Sequence, residues 1–348
     1  MPSHQKIHSL TLELSWKLLK LISTLDRFDA AWAAIERREG NSLKQLKSIA
    51  TVRSVGASTR IEGSKMSDDE VAVLIEKMDI SKLEERDQQE VAGYFEVLDL
   101  ITSSFKDIDI SESSIKALHN MLLQHSTKDQ WQRGNYKQHS NVVEATRPDG
   151  SKQVVFQTTA PGMATDDAMR SMIDWYNQDQ ETLPIIKCAL FCYEFVSIHP
   201  FQDGNGRLSR LLATLLLLKN GYVWIQYVSL EHEIESRKNE YYGELMNAQR
   251  NRPGENITNW LHFFLDCLMN ITSQLLLKLE TTGSKTEMSV KQKQVYSFIQ
   301  NYPNSRSGEI AEKLDLNLAT VKKILQTMVA EKLIIKSGVG RAITYAVL

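Results

Sequence analysis

The 348-residue sequence predicts a mainly α-helical protein with a small C-terminal domain of a different kind. Apolar residues recur at helical spacing along most of the chain, without an internal repeat. A polar stretch, Thr281 to Lys285, follows a long predicted helix. Beyond this stretch the composition becomes basic and two short β-type runs occur. We therefore expect a helical body that ends near residue 281 and a separate domain at 282–348.

Apolar periodicity predicts the helices of the body. The body also contains one short β-type run, which lies after a predicted turn. The run covers residues 153–159, after a predicted turn at 148–150. The predicted helices span residues 8–26, 28–37, 42–58, 67–78, 84–104, 111–124, 165–179, 185–198, 207–219, 230–250 and 255–281.

The composition is typical of a globular protein inside the cell. The formal net charge of −2 indicates no class of partner. The three cysteines cannot form a full disulfide set, and Cys188 and Cys192 lie one turn apart in an apolar helix, where core packing is expected. No signal peptide pattern is present, and the most apolar run, Leu211 to Leu218, is too short to span a bilayer. We expect a cytoplasmic protein without membrane contact.

The most informative stretch is HPFQDGNGRLSR, residues 199–210. The apolar helix 185–198 ends there, because Pro200 and the glycines interrupt the pattern, and helical spacing resumes at Arg207. Gly204, Asn205 and Gly206 therefore lie in a loop that leads into a helix N-terminus. Free backbone N–H groups and the positive end of the helix dipole attract anions at such a place.

The side chains of this stretch suit phosphate chemistry. Arg207 and Arg210 are three residues apart, so both can project from one side of the helix towards phosphate oxygens. Asp203 offers oxygen ligands for Mg²⁺, and His199 can accept a proton from an attacking hydroxyl. Phe201 is expected to turn inward and anchor the loop. No P-loop or Rossmann motif occurs elsewhere, so we predict a nucleotide site here.

The stretch resembles the pattern HPFx[DE]GNGRxxR of the Fic (filamentation induced by cAMP) family at every defined position. The resemblance implies a helical Fic core that transfers AMP from ATP to a Ser, Thr or Tyr hydroxyl of a target protein, the protein itself included. It implies that His199 is the base, that Asp203 holds Mg²⁺, and that Arg207 and Arg210 reach the β- and γ-phosphates. The phosphate charge would be stabilised by Gly204, Asn205 and Gly206, through backbone N–H groups and the Asn205 amide.

A second stretch, from Ser58 to Gly63 (STRIEG), resembles the inhibitory pattern [ST]xxxE[GN] of the same family. The resemblance implies an inhibitory helix at about 52–63, whose Glu62 pairs with Arg210 and removes the γ-phosphate contact. In some relatives this glutamate assists removal of AMP, so a reverse reaction stays open. The alternative is a short helix that Gly63 merely closes.

Two further pieces resemble parts of a Fic site. The β-type run lies where the family carries a flap hairpin that binds the target's backbone, with residues 133–143 as the partner strand. An ordinary surface hairpin is the alternative. Tyr241 and Tyr242 match a stretch that lines the adenine pocket in relatives, but Gln249 stands where asparagine is common, and core packing is the alternative. The flap candidates are Val154, Val155, Phe156, Gln157 and Thr158.

The tail resembles the helix-turn-helix of many bacterial regulators. Residues 285–348 carry ten basic against five acidic residues, while the first 284 carry 31 against 38. Helices at 290–301, 307–314 and 319–331, then β-type runs at 333–336 and 342–347, form the plan of a winged helix-turn-helix domain. Such domains bind DNA or serve protein interactions. The DNA-contact candidates are Asn317, Thr320, Lys322, Lys323 and Arg341.

The sequence thus predicts an N-terminal helical region at 1–110, a catalytic core at 111–281 and a winged helix-turn-helix domain at 282–348. Two classes of function stay open. One is an adenylyltransferase controlled by Glu62, and the other is a DNA-binding regulator whose Fic domain senses nucleotide. Transfer of another phosphate-linked group and assembly as a homodimer also stay open.

Overall fold

The computed structural model describes residues 10–78, 83–146, 152–283, 289–330, 333–338, 340 and 343–347. This part of the chain is mainly helical, as predicted, with two small antiparallel sheets of two strands each. None of its helices is long and apolar enough to cross a membrane. The chain divides into two compact units, Met1–Leu276 and Leu277–Leu348. The predicted division into three regions stays a prediction.

The helices of the body mostly match the predicted ones to within three residues, with two exceptions at 8–58 and 230–250. Short 3-10 turns at Phe105–Asp107 and Val223–Tyr227 add to them. The helices are α1 (Trp16–Ile61), α2 (Asp68–Glu76), α3 (Arg86–Ser104), α4 (Glu112–Leu122), α5 (Met163–Gln178), α6 (Pro184–Ile198), α7 (Asn205–Lys219), α8 (Leu230–Ser236), α9 (Lys238–Gln249) and α10 (Thr258–Gly283).

The prediction of three helices over residues 8–58 is wrong, because α1 runs unbroken for 46 residues. Gly40 lies inside it, and glycine there costs about 1 kcal/mol relative to alanine. Tertiary contacts on both sides of Gly40 outweigh this cost. Trp224 Nε1 donates to Asp29 at 3.0 Å, and Lys47 Nζ donates to Gln226 at 2.9 Å.

The single helix predicted at 230–250 is also wrong. The backbone leaves helical geometry at Arg237, which separates α8 from α9. Its guanidinium packs 4.7 Å from the Phe263 ring centre and hydrogen-bonds Glu240 at 2.7 and 2.9 Å. These contacts favour the break, which the apolar pattern does not reveal.

Helices α6 and α7 form the centre of the first unit. Nearly all their residues are buried, as expected for helices with long apolar runs, and in α7 the buried residues include Arg207 and Arg210. Helix α6 packs against α5 and α7, and α7 also packs against α3. The loop between α6 and α7 therefore starts and ends in two deeply buried helices.

A hairpin of β1 (Val142–Thr146) and β2 (Lys152–Gln157) follows α4. Its register shifts between Val143 and Glu144. The partner strand predicted at 133–143 is wrong in its bounds, because residues 133–141 are irregular and bond instead to the loop after α6. The predicted turn at 148–150 lies outside the described residues.

The second unit has three helices followed by an antiparallel hairpin, in the order predicted. Tyr345 in the last strand also pairs with Ser305, between the first two helices. The unit has its own core, which includes Val295, Ile310 and Leu325. Its elements are α11 (Val290–Asn301), α12 (Ser307–Lys313), α13 (Leu318–Ala330), β3 (Ile334–Ser337) and β4 (Thr344–Val347).

Candidate active site at the start of helix α7

The loop between α6 and α7 turns sharply at both ends. Helix α6 ends at His199, whose φ of 53° and ψ of 61° lie in the left-handed region. Gly204, with φ of 79°, is the N-cap of α7, so glycine suits that position. The helix begins at Asn205, two residues before the predicted start. The N–H groups of its first turn are therefore available to an anion beside Gly206.

The loop is closed on the main chain of Phe201, which is fully buried as predicted. Asn205 Oδ1 accepts from the Phe201 N–H at 2.9 Å, and Asn205 Nδ2 donates to the Phe201 carbonyl at 2.7 Å. The Asn205 amide therefore orders the loop, although the sequence suggested a contact with phosphate. The backbone N–H groups remain the anion-binding part of this stretch.

His119, a residue that the sequence reasoning missed, supports the same loop. Its ring stacks on Phe201 with ring centres 3.7 Å apart. The Gly134 N–H donates to Nδ1 at 2.9 Å, so Nε2 carries the proton and donates to the Asp203 carbonyl at 3.0 Å. Burial lowers the pKa of His119 to about 4, which keeps the ring neutral. His119 lies 84 residues before Asp203, and no local pattern connects them.

His199 has the properties of a base. Its Nδ1 is buried and makes no hydrogen bond. Burial and then the positive charge of Lys137 lower the pKa of His199 to about 4, against smaller opposing effects of the Val196 carbonyl and the Glu62 and Asp203 carboxylates. The imidazole is therefore neutral near pH 7 and can accept a proton.

Arg207 is 2% exposed, and nearby carboxylates pair with only part of its guanidinium group. Its Nη2 lies 3.5 Å from Asp203 Oδ1, and its Nη1 lies 3.3 Å from Glu90 Oε2. Its Nε and Nη1 atoms have no hydrogen-bond partner. Buried donors of this kind are costly unless they bind something, so Arg207 fits an anion such as a phosphate.

Asp203 is held as a carboxylate. Burial raises its pKa, but Arg207, the Gly204 N–H and Arg86 outweigh this effect, and the pKa lies below its usual value. The Gly204 N–H donates to Oδ1 at 2.6 Å, and Arg86 Nη2 lies 3.3 Å from Oδ2. The side chain is 38% exposed, so a cation can reach it.

These features fit Mg²⁺ bound together with a polyphosphate. No group of three or more His, Cys, Asp or Glu side chains in the described ranges could hold a metal ion. Mg²⁺ commonly takes one or two carboxylates and completes its shell with phosphate oxygens and water. Asp203 would be the carboxylate ligand, and the phosphates would supply further oxygens.

Arg210 is 3% exposed and is bound by the end of helix α1. Its Nε donates to Ser58 Oγ at 2.8 Å, and its Nη2 donates to the Ser58 carbonyl at 3.0 Å. Nη2 also donates to Glu62 Oε1 at 2.8 Å. The one-turn spacing of Ser58 and Glu62 thus places both on the same guanidinium.

Glu62 lies directly over the first turn of α7. A Cβ atom added to Gly206 would be only 2.3 Å from Glu62 Oε1, so a residue other than glycine cannot fit here without displacing Glu62. Burial raises the pKa of Glu62, but the charge and hydrogen bond of Arg210, followed by the charge of Arg207, lower it below its usual value. The ionised carboxylate therefore lies where the helix N-terminus attracts anions.

The last turn of α1 is anchored from the other side by α8 and α9. Arg60 makes two hydrogen bonds to Glu235, at 2.6 and 3.0 Å. Lys238 Nζ donates to the Ile61 carbonyl at 2.6 Å. Gly63 then turns the chain away with φ of 112°, a conformation that favours glycine.

The adenine candidates lie next to this site. Tyr241 is 4% exposed, and its ring packs 5.1 Å from Tyr242 and 5.7 Å from Trp260. Gln249 is also buried, and its Nε2 donates to Ser197 Oγ at 3.0 Å. Tyr241 and Gln249 are therefore engaged within the protein, and Tyr242 is the more accessible candidate.

The flap candidates lie at the end of the hairpin. Val154 and Val155 are within β2, and Val154 pairs with Glu144. Phe156 is half-buried, Gln157 is exposed and Thr158 is buried. The hairpin itself is present, and its role in binding a target stays a prediction.

Comparison with known proteins agrees with this fold. Residues 109–217, which include the loop between α6 and α7, match the Fic/DOC family model. A solved Fic family protein from Desulfovibrio desulfuricans has a TM-score of 0.71 at 20% identity and covers 97% of this chain and 98% of that one. A solved Fic domain containing signaling protein from Bacteroides thetaiotaomicron has a TM-score of 0.60 at 22% identity. The match covers 74% of this chain and 97% of that one. These likenesses show the fold.

Curated relatives carry the name protein adenylyltransferase Fic. The one from Drosophila willistoni is 26% identical over 307 residues, which are 83% of this chain and 57% of the relative. The chain thus spans little more than half the length of that relative.

The unusual state of His199 can be measured without any activity. NMR of ¹⁵N-labelled histidine, with His199→Ala for assignment, should show a midpoint near pH 4, because burial and Lys137 disfavour the charged ring. A midpoint near the ordinary 6.5 would contradict this account of the site. Since the pKa is lowered in the folded state, the unfolded chain binds the proton first, and the resulting loss of stability grows as the pH falls from 6.5 to about 4.

Proposed function

We propose that this protein transfers AMP from ATP to a Ser, Thr or Tyr hydroxyl of a protein target, which can be the protein itself. The observation that carries the proposal is a half-buried His199 that is neutral near pH 7 and whose buried Nδ1 has no hydrogen-bond partner, close to an anion site at the start of α7. The name and the 26% identity of the Drosophila willistoni relative support the same reaction. The cytoplasmic location and the homodimer stay predictions.

In this reaction the target hydroxyl oxygen forms a bond to the α-phosphorus while the bond to the β-phosphate oxygen breaks. Pyrophosphate leaves, and His199 takes the hydroxyl proton. The first-turn N–H groups of α7 and the free donors of Arg207 would stabilise the phosphate charge. Mg²⁺, when held by Asp203, would neutralise part of that charge. Catalysis would then be positioning and electrostatic stabilisation.

We further propose that Glu62 inhibits this reaction. Its carboxylate holds Arg210 at 2.8 Å and lies against Gly206, so it competes with a phosphate for the same donors. Release of the carboxylate would free Arg210 for the γ-phosphate. From the same position, Glu62 would also assist the removal of AMP in a reverse reaction.

Replacing the inhibitory glutamate should raise transfer. Glu62→Gly should increase AMP labelling from α-³²P-ATP at least about tenfold, because a charge-assisted hydrogen bond worth roughly 1.5–3 kcal/mol no longer holds Arg210. Glu84→Gly, at an exposed glutamate in an irregular segment, is the control and should leave the rate unchanged. Equal rates for Glu62→Gly and wild type would contradict the inhibitory role.

Removing the base should abolish transfer but keep nucleotide binding. In the Glu62→Gly background, His199→Ala should lower labelling by about 10²–10⁴-fold, the usual contribution of a general base. The dissociation constant of ATP, measured by calorimetry, should change little, since the α7 turn and its arginines remain. His232→Ala, at a partly exposed histidine, is the control. Undiminished labelling would exclude His199 as the base.

A second function is favoured by the surface of the C-terminal unit. We propose that it is a winged helix-turn-helix domain that binds DNA, with α13 as the recognition helix. Asn317, Lys322 and Lys323 are exposed, and Thr320 is half-exposed. The Asn317 side chain accepts from the Ala319 N–H at 2.8 Å, which fixes the start of α13. Arg341 lies outside the described residues.

The two lysines provide the test. The double variant Lys322→Glu/Lys323→Glu should weaken binding to a random-sequence DNA duplex at least about tenfold in fluorescence anisotropy, with a weaker dependence on salt. The control Lys20→Glu/Lys128→Glu makes the same change in charge at exposed positions of the body. Equal weakening by both variants would mean that net charge, and not α13, attracts the DNA.

A further inference from the structure

Lys137 is a buried lysine to which the proposed reaction assigns no contact with ATP or target. Lys137 is only 3% exposed and lies in the irregular segment between α4 and β1. Lysine is almost never fully buried unless its ammonium group is paired. The contacts of this side chain therefore show what it holds in place.

The ammonium group has three acceptors, one for each of its N–H bonds. Nζ donates to Thr158 Oγ1 at 2.8 Å, to Asn141 Oδ1 at 3.0 Å and to the Ile198 carbonyl at 3.1 Å. All three acceptors are neutral. Burial lowers the pKa of Lys137 to about 8, so most molecules keep the charged form at neutral pH.

One side of this network holds the backbone around His199. Ile198 directly precedes His199, and Pro200 directly follows it. Lys137 hydrogen-bonds the carbonyls of both neighbours. Its Nζ donates to the Ile198 carbonyl, and its backbone N–H donates to the Pro200 carbonyl at 2.8 Å. The left-handed conformation of His199 costs about 1–3 kcal/mol for a residue other than glycine, so it needs such support.

The other side holds the two ends of the hairpin. Thr158 directly follows β2, and Asn141 directly precedes β1. The Thr158 hydroxyl donates to the Asn141 carbonyl at 2.8 Å, and Asn141 Nδ2 donates to the Phe201 carbonyl at 2.9 Å. The base of the hairpin is therefore bonded to the same loop that carries His199.

We infer that Lys137 is a positioning residue, which fixes the β1–β2 hairpin relative to His199 so that a target strand bound at the hairpin presents its hydroxyl to the base. This inference rests on the proposed transfer reaction. It assigns Lys137 no contact with ATP, because its bonds end at the hairpin and at the end of α6. Its loss should therefore affect transfer to the target and leave nucleotide binding intact.

The first test measures kinetics in the Glu62→Gly background. Lys137→Met, which keeps the length and apolar stem, should lower kcat for a protein target at least about tenfold and leave the dissociation constant of ATP within about twofold. Lys137→Arg keeps the charge and donors and should recover part of the rate. Lys128→Met, at an exposed lysine, is the control. Transfer by Lys137→Met at the parent rate would overturn the inference, and so would parallel loss of ATP binding.

A mutant cycle tests the network itself. Thr158→Val removes one of the three acceptors and should lower the same kcat by a smaller factor. The double variant Lys137→Met/Thr158→Val should be no slower than Lys137→Met alone, because both changes break the same connection between the hairpin and the loop at His199. Fully additive losses would mean that the two residues act independently, and would overturn the inference.

Hydrogen exchange gives a readout without activity. Lys137→Met should speed amide exchange in β1 and β2 at least about fivefold while α7 keeps its rates, and unchanged exchange in the hairpin would overturn the inference. This measurement also separates the two proposals. If Glu62→Gly does not transfer AMP but the hairpin loosens as expected, the proposed reaction fails, while the structural part of the inference, that Lys137 fixes the hairpin relative to His199, stands.

Discussion

The arrangement of the site depends on one buried cation. Arg210 is almost completely enclosed, and a charge in such surroundings must be paired. Ser58 and Glu62 supply the partners, so the end of a helix some 150 residues away is bound to the start of α7. Removing one partner of a buried pair costs about 3–5 kcal/mol unless another anion replaces it. A phosphate is such an anion, so under the proposed function the glutamate and the nucleotide would compete for one guanidinium.

The residues around the loop divide into two groups by what they bind. Asn205, His119 and Lys137 each hydrogen-bond at least one main-chain group of residues 198–203. They hold a loop whose backbone is strained at His199. The second group is Arg207, whose Nε and Nη1 have no hydrogen-bond partner, together with the first turn of α7, whose N–H groups have no partner within the helix.

The sequence predicts the parts of this protein whose signals are local. The exit of α6 at His199, the burial of Phe201 and the bounds of α11 agree with the structure, because apolar spacing and helix-breaking residues lie side by side in the chain. The unbroken α1 could not be predicted, since distant packing overrides Gly40. The strand predicted at 133–143 is wrong for the same reason, because distant hydrogen bonds hold residues 133–141 against the loop after α6.

The sequence predicted which residue types form the candidate site, but it did not predict which groups their side chains contact. A pattern shows that Asn205 is present, yet it does not show whether its amide faces a ligand or the Phe201 main chain. His119 and Lys137 have no motif, because their partners lie 84 and 61 residues away. The expected contact of Glu62 with Arg210 came from the family resemblance, since nothing local connects them. The adenine pocket and the domain division stay predictions.

The position of Glu62, one residue beyond a helix of 46 residues, has a consequence for how the site could be controlled. Opening the end of a helix is among the least costly motions of a folded protein. Under the proposed function, the balance between closed and open sites depends on how firmly this last turn is docked, while the rest of the roughly 70 Å helix stays in place. The Arg60–Glu235 and Lys238–Ile61 contacts bias that equilibrium from outside the phosphate site. Basal activity could therefore drift during evolution, or respond to a bound partner, with every catalytic residue left unchanged.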